Sequence, residues 1–418
     1  MEIVSNIINE ESGNRKRSRI SHICSGKCLR YAILGLALSS VFVATLLWYF
    51  CDERNCFAKN SFPFVFNSSR SLVKLRPSNS HIRQIPVFRH DKLSMSQFDF
   101  NIRAWDVVVF LHIQNTGGNV FAKQLVEDLN LEKPCVCKKN RRRCVCWRPN
   151  RIGSPWLFSR YTMGWKCGVH PDWTELTNCV DRVVDEEEGR PIKRRYFFIT
   201  LLRDPVKRFL SEYWHARQGL NWRSSRHWCN GKETTPNESC FEGKDLQELT
   251  LDEFLSCTNN LALNRQTRML ADLTLVGCYN TSFMSVEERN LLLLTSAKNN
   301  LHKMAFFGLS EFPKMSQYMF ESIFNLSFVE KEQQLHNIFG RRTRRKFSED
   351  INAKDIKKIE QLNQLDIAIY QYAKDLLFHR FEKLKNIDPH FKNNFEMIKK
   401  SQLSSVDWAE KEDSIDIL

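Results

Sequence analysis

Two apolar runs, each delivered straight into a turn and a helix, constrain this chain more than any other feature. Residues 107–113 (VVVFLHI) are apolar, rich in β-branched side chains and of strand length, which is the composition of a strand buried on both faces of a parallel sheet. The run enters a loop, 114–119, that contains Gly117 and Gly118. A helix is predicted next, over 121–129, because Phe121, Leu125 and Leu129 recur every four residues. The second run, 196–202 (YFFITLL), ends at Arg203, Asp204 and Pro205, and Pro205 suits the first turn of a helix continuing through His215. Strands followed directly by helices predict an α/β domain with a central parallel sheet flanked by helices. Further on, Ile359, Leu362, Leu365, Ile369, Tyr372 and Leu376 repeat at three and four residues, predicting one long core-packing helix over 355–385. The acidic stretch 185–188 reads as a solvated loop.

Charge and hydropathy assign a compartment. Residues 31–50 carry no charge, and their length matches the roughly 20 residues a helix needs to cross a bilayer. Arg15, Lys16, Arg17, Arg19, Lys27 and Arg30 precede this segment, whereas Asp52 and Glu53 follow it. The excess of cations on the N-terminal side predicts a cytosolic N-terminus and a luminal remainder. A cleaved signal peptide fits less well, because the apolar stretch exceeds the ~7–15 residues of a signal core. The expected layout is a cytosolic tail (1–30), a signal anchor (31–51), a stem (52–103), a catalytic domain (104–386) and a polar, loose tail (387–418). It corresponds to a single-pass type II membrane protein whose main domain lies in the lumen of the secretory pathway. A formal charge of +14 calls for an acidic partner, and luminal placement turns that choice from nucleic acid towards an acidic glycan.

Of 14 cysteines, ten lie between Cys135 and Cys278, an even number that reads as disulfides in an oxidising lumen, with connectivity left open. Cys135, Cys137, Cys144 and Cys146 also have a spacing that zinc could use, although the gaps are tight. Sequons at Asn67, Asn237, Asn280 and Asn325 are candidate glycosylation sites.

The glycine loop is an anion site in outline. Backbone N–H groups at a helix N-terminus point outward, the helix dipole adds partial positive charge, and Gly117 and Gly118 permit close approach. Thr116 adds a hydroxyl. No Gly-Lys-Ser/Thr follows, so the loop is not the kind that serves ATP or GTP hydrolysis. At the second strand end Arg203 and Ser211, two helical turns apart, form a second candidate grip. Two such grips suit a ligand with phosphates at both ends.

Residues 110–118 (FLHIQNTGG) resemble the 5′-phosphosulfate loop of the heparan sulfate 6-O-sulfotransferase family. Segments 156–160 (WLFSR), 164–170 (GWKCGVH), 172–179 (DWTELTNC), 199–205 (ITLLRDP), 210–212 (LSE), 264–266 (NRQ), 268–273 (RMLADL), 276–280 (VGCYN) and 304–308 (MAFFG) are similar to the family as well. The resemblance implies a P-loop-like sulfotransferase fold and 3′-phosphoadenosine 5′-phosphosulfate (PAPS) as donor. It also implies the 6-hydroxyl of glucosamine in heparan sulfate as acceptor, and no metal. It makes His170 the general base, needed because a sugar hydroxyl attacks poorly until its proton is removed. His112, Ile113, Gln114, Asn115, Thr116, Gly117, Gly118 and Asn119 would cradle the 5′ end of the donor. Arg203 and Ser211 would hold its 3′-phosphate, and Thr343 and Arg344 would close over it. Arg142, Arg143, Arg160, Trp165, His170, His215 and Trp222 would face the glycan.

One departure stands out. The family pattern implies lysine where this chain has Asn115, and threonines where it has Asn119 and Val120. That lysine would meet negative charge as the S–O bond breaks, and loss of one such donor costs about 10²–10³ in rate. Two expectations follow: a working 6-O-sulfotransferase with redistributed electrostatics, or, as the alternative, a weak or inactive heparan-binding relative.

Overall fold

The computed structural model describes residues 99–138, 143–219, 227–234, 241, 245–329 and 351–401. The expected tail, anchor and nearly all of the stem lie outside the described residues, as do Arg142, Trp222, Thr343, Arg344, Asn67 and Asn237. Among the described residues no helix is long and apolar enough to cross a membrane.

Four strands form the central sheet: β1 (Asp106–Leu111), β2 (Leu157–Phe158), β3 (Arg195–Leu202) and β4 (Phe306–Leu309). Their order is β4–β3–β1–β2, and every pairing is parallel. Parallel strands require crossovers, and here those crossovers carry helices that bury both faces. Val107, Val108, Val109 and Leu111 are accordingly fully buried. Register is fixed by pairs such as Val109 with Phe198 and Leu111 with Thr200, and the Thr200 hydroxyl donates to the Leu111 carbonyl at 2.8 Å.

The chain leaves β1 towards β2 on one side and returns to β3 on the other. The strand order therefore reverses between β1 and β3, and a crevice at the carboxyl ends of strands at such a reversal is where open α/β sheets bind ligands. Both loops singled out from the sequence open at this point.

The helix after β1, α1, spans Gly118–Glu127, and α2 spans Trp173–Glu188. The helix after β3, α3, spans Pro205–Arg217, with Pro205 in its first turn and Asp204 accepting from the Lys207 N–H. Then come α4 (Leu251–Ser256), α5 (Arg265–Leu270), α6 (Val286–Lys303) and α7 (Pro313–Phe324). Phe121 of α1 meets Phe306 of β4 and Phe320 of α7 through ring contacts of 6.1 and 5.5 Å between centroids, joining helix to sheet. Truncating a Phe buried this fully costs roughly 3–5 kcal/mol.

Three expectations are corrected. The helix predicted over 355–385 is two helices, α8 (Ala353–Leu362) and α9 (Gln364–Ile387), broken at Asn363. The Asn264 carboxamide caps the new start, accepting from the N–H groups of Leu365 and Asp366, while Asn363 accepts from the Asn264 N–H. Hydrophobic period survives such a break, so periodicity alone could not show it. The acidic stretch 185–188 is the last turn of α2: Asp185 and Glu188 receive the buried Arg194 guanidinium at 2.6 and 2.9 Å. Finally, the tail expected to be loose holds α10 (Phe391–Ser401), whose Ile398 is buried and whose Phe391 packs edge-on to Tyr318.

Candidate active site

The loop after β1 is shaped by its backbone. Asn115 and Gly117 adopt left-handed conformations, with φ of 65° and 84°. Asn is the non-glycine residue that tolerates this region best, because its short polar side chain bonds locally. Thr116 is fully buried, and its hydroxyl donates to the Ile113 carbonyl at 2.9 Å, closing the turn from within. From the end of β4, the Ser310 hydroxyl bonds to the Thr116 carbonyl at 2.6 Å and to the Leu202 carbonyl at 3.1 Å, tying the loop to the neighbouring strand. Gly118 has no room for a side chain, since a Cβ there would fall 2.1 Å from Cδ2 of His112. The imidazole of His112 thus packs directly over the first residue of α1. The N–H groups of that first turn have no partners within the helix.

The arrangement accommodates an anion. Gln114 Oε1 and Asn115 Oδ1 are buried and lack hydrogen-bond partners among the described residues. Turning either amide by half a rotation exchanges oxygen for nitrogen at little steric cost and presents donors instead.

The end of β3 is held differently. Arg203 is buried, its N–H donates to Gln266 Oε1 and its carbonyl accepts from Gln266 Nε2, both at 2.9 Å. Its Nη1 donates to the Asn115 carbonyl at 3.2 Å, which joins the two strand ends into one site. Ser211 and His215 follow on the buried face of α3, one turn apart. Beneath them Glu212 receives both Arg208 and Arg265, and Arg208 also lies 3.8 Å from Asp366 of α9. Burial alone would raise the Glu212 pKa, but the two guanidinium groups pull it down to about 2. Gln266, Ser310 and the Glu212–Arg265 pair escaped sequence analysis as site supports. Residues 210–212 and 264–266 carried the only signal, as parts of the family resemblance.

His170 enters the site from the segment leading into α2. The Cys167–Cys179 disulfide staples this segment to the helix, and Asp172 and Glu175 form a capping box two residues later. The His170 ring lies 5.0 Å from that of His112, and its Nε2 is 3.4 Å from Nη1 of Arg160. The same Arg160 nitrogen donates to Asn119 Oδ1 at 3.2 Å. Burial first, then the charges of Arg160, His112 and Arg265, holds the His170 pKa well below the usual imidazole value. His170 is therefore neutral near pH 7. Because a guanidinium can only donate, the Arg160 contact favours the tautomer with the lone pair on Nε2 and the proton on Nδ1. A neutral imidazole with an aimed lone pair is the state a general base needs.

On the outer side, the Arg143 guanidinium stacks over the exposed Trp165 ring at 4.2 Å. Arg143 directly precedes the second strand of a hairpin pair, Val136–Cys137 with Cys144–Val145, crosslinked by Cys135–Cys146 and Cys137–Cys144. All four thiols are consumed as disulfides, so zinc has no ligands there. Cys229–Cys278 is a further disulfide, and Asn280 and Asn325 stand exposed. Asp172, Glu175 and His227 lie close enough to share an ion. Asp172 and Glu175 are already committed: they cap α2, and Glu175 also accepts from the Trp228 N–H at 2.9 Å.

Comparison with known proteins agrees with this geometry. The model of the sulfotransferase family matches residues 98–373. The chain is 46% identical to heparan-sulfate 6-O-sulfotransferase 3 of Homo sapiens over 319 residues, 75% of this chain and 66% of the relative. It is 48% identical to heparan-sulfate 6-O-sulfotransferase 1 of Homo sapiens over 293 residues, 69% of this chain and 70% of the relative. With heparan-sulfate 6-O-sulfotransferase 2 of Gallus gallus it shares 47% identity over 371 residues, 84% and 87% of the two chains. The match thus spans just under two thirds of the first of these relatives and more of the other two. A parallel sheet with an anion loop at its reversal point, a neutral, half-buried histidine beside that loop, and these similarities together establish that the chain belongs to the sulfotransferase family, alongside the heparan-sulfate 6-O-sulfotransferases.

Proposed function

We propose that the protein transfers the sulfuryl group of PAPS to the 6-hydroxyl of glucosamine in heparan sulfate. The observation that carries this reading is the neutral His170, poised beside a helix N-terminus at the reversal point of the sheet. The N–H groups of Gly117, Gly118 and Asn119 receive the 5′-phosphosulfate, with Gln114 and Asn115 able to turn donors towards it. Arg203 and Ser211 take the 3′-phosphate. Arg143 and Trp165 offer a cation and an aromatic face to the glycan, and His215 is a further candidate contact. His170 Nε2 accepts the proton of the attacking hydroxyl, whose oxygen bonds to sulfur as the bond from sulfur to the phosphate oxygen breaks, and 3′,5′-ADP leaves. The weak or inactive alternative draws no support from the comparisons, since the relatives compared above all bear transferase names.

The proposal extends to location: a type II protein anchored through residues 31–51 with its catalytic domain in the Golgi lumen. The uncharged segment with cations on one flank supports this, as do disulfides of the kind that persist in oxidising compartments.

His170→Ala should abolish transfer of labelled sulfate from PAPS to N-sulfated heparosan while leaving 3′,5′-ADP binding, measured by calorimetry, undiminished. Transfer that survives the substitution would remove His170 from the role of base.

A further inference from the structure

The loop of this chain is short of one positive charge, and a neighbouring residue is placed to make up for it. We propose that Arg160 meets the negative charge developing during sulfuryl transfer, the task that falls to a lysine at position 115 in the family pattern. This inference rests on the sulfuryl-transfer reading above.

Three observations carry it. First, Asn115 can offer an amide donor but not the missing charge: it is neutral, short and buried, with left-handed backbone. Second, Arg160 Nη1 stands 3.2 Å from Asn119 Oδ1 and 3.4 Å from His170 Nε2. Asn119 is the second residue of α1, in the turn that cradles the donor, while Nε2 is the atom that must face the acceptor hydroxyl. Sulfur passes between those two places, so a nitrogen touching both lies at the point of transfer. Third, Asn119 is itself a departure from the family pattern, where a threonine is implied. The carboxamide is longer than a threonine hydroxyl and supplies an acceptor that orients the guanidinium. The two departures are linked: one removes a cation from the loop, and the other holds a replacement cation against it.

The reaction balances with Arg160 as a charge donor only. The hydroxyl oxygen forms the new bond to sulfur, and its proton moves to His170 Nε2. The bond from sulfur to the bridging oxygen breaks, leaving its electron pair on the phosphate of 3′,5′-ADP. As Nε2 takes the proton, the imidazolium repels the guanidinium, which turns towards the sulfonate and the bridging oxygen. A planar fork of five donors can serve both.

The test is a double-mutant cycle on kcat, at saturating PAPS and N-sulfated heparosan, using wild type, Arg160→Ala, Asn115→Lys and the double variant. Arg160→Ala should lower kcat by about 10²–10³-fold, the usual cost of one such donor. In the Asn115→Lys background the loss should shrink by about tenfold or more, because two cations that serve one task are non-additive. The acidic limb of the pH profile should also move upward in Arg160→Ala, since a cation beside His170 is gone. Equal losses in both backgrounds, or an effect confined to the glycan KM, would make Arg160 a glycan contact and overturn the inference. A wild type that transfers nothing while Asn115→Lys is active would overturn it too, and with it the reading of the natural chain as an enzyme. A wild type that transfers while Arg160→Ala keeps its kcat sinks the inference alone. Binding of 3′,5′-ADP confirms that each variant is folded, and should Arg160→Ala fail that control, Arg160→Gln carries the same comparison.

Discussion

The two strand ends that build the site hold an anion by different means. The loop after β1 is a backbone device: left-handed turns at Asn115 and Gly117, a bare α-carbon at Gly118, and hydroxyls of Thr116 and Ser310 bonded to main-chain carbonyls. The end of β3 is a side-chain device: Arg203 is gripped through its backbone by Gln266, above a layer of buried ions in Glu212, Arg208, Arg265 and Asp366. A backbone cradle keeps its shape when one side chain changes, which is how this chain carries Asn115 where its family pattern implies lysine. A buried charge layer has no such latitude, because removing one member strands the others.

That contrast predicts the largest effect at Glu212. Glu212→Gln leaves two buried guanidinium groups without their shared counter-ion and should cost roughly 3–5 kcal/mol of stability, read from denaturant melts. The sign of the pH dependence follows from its depressed pKa. The contribution is complete above the ordinary carboxylate value of 4.5 and is lost as pH falls towards about 2, so wild type should lose stability across that window and Glu212→Gln should lose less. A variant with unchanged stability would mean that the layer is not what fixes the β3 end.

Next is Gly118→Ala. Alanine normally favours a helix, yet here its methyl group meets the His112 ring. Overpacking of this kind costs about 1–3 kcal/mol, and displacement of His112 should weaken 3′,5′-ADP binding in calorimetry. A stabilised variant with full affinity would show that the cradle is looser than its geometry.

The smallest effect is in the pH–rate profile. Burial and neighbouring cations keep His170 neutral until well below pH 6.5, so kcat should stay level from pH 8 down past 6.5 and fall only at lower pH. A limb centred at or above 6.5 would indicate an unburied base.

These regions were also unequally legible from sequence. The β1 loop could be read directly, because strand, glycine loop and helix are local, and the structure differs from the prediction only by a few residues at each end. Arg203 and Ser211 were legible for the same reason. The supports of the β3 end were not: Gln266 lies 63 residues from Arg203, and Asp366 is 100 residues from Gln266, so only the folded chain brings them together. The break at Asn363 was hidden for a related reason, since it depends on an exchange of hydrogen bonds with Asn264, far away in the sequence. Arg160 could be found as a family position, but its contact with Asn119 could not, because neither the motif nor its spacing records which side chains meet.

The most direct test of the account is the product. Purified wild-type protein and Asn115→Lys, each given PAPS and N-sulfated heparosan, would be compared by disaccharide analysis. The account predicts 6-O-sulfated glucosamine from the wild type, with Asn115 tolerated by a cradle made of backbone. Product from Asn115→Lys alone would contradict it, and would show that the cation at that position cannot be supplied from elsewhere in the site.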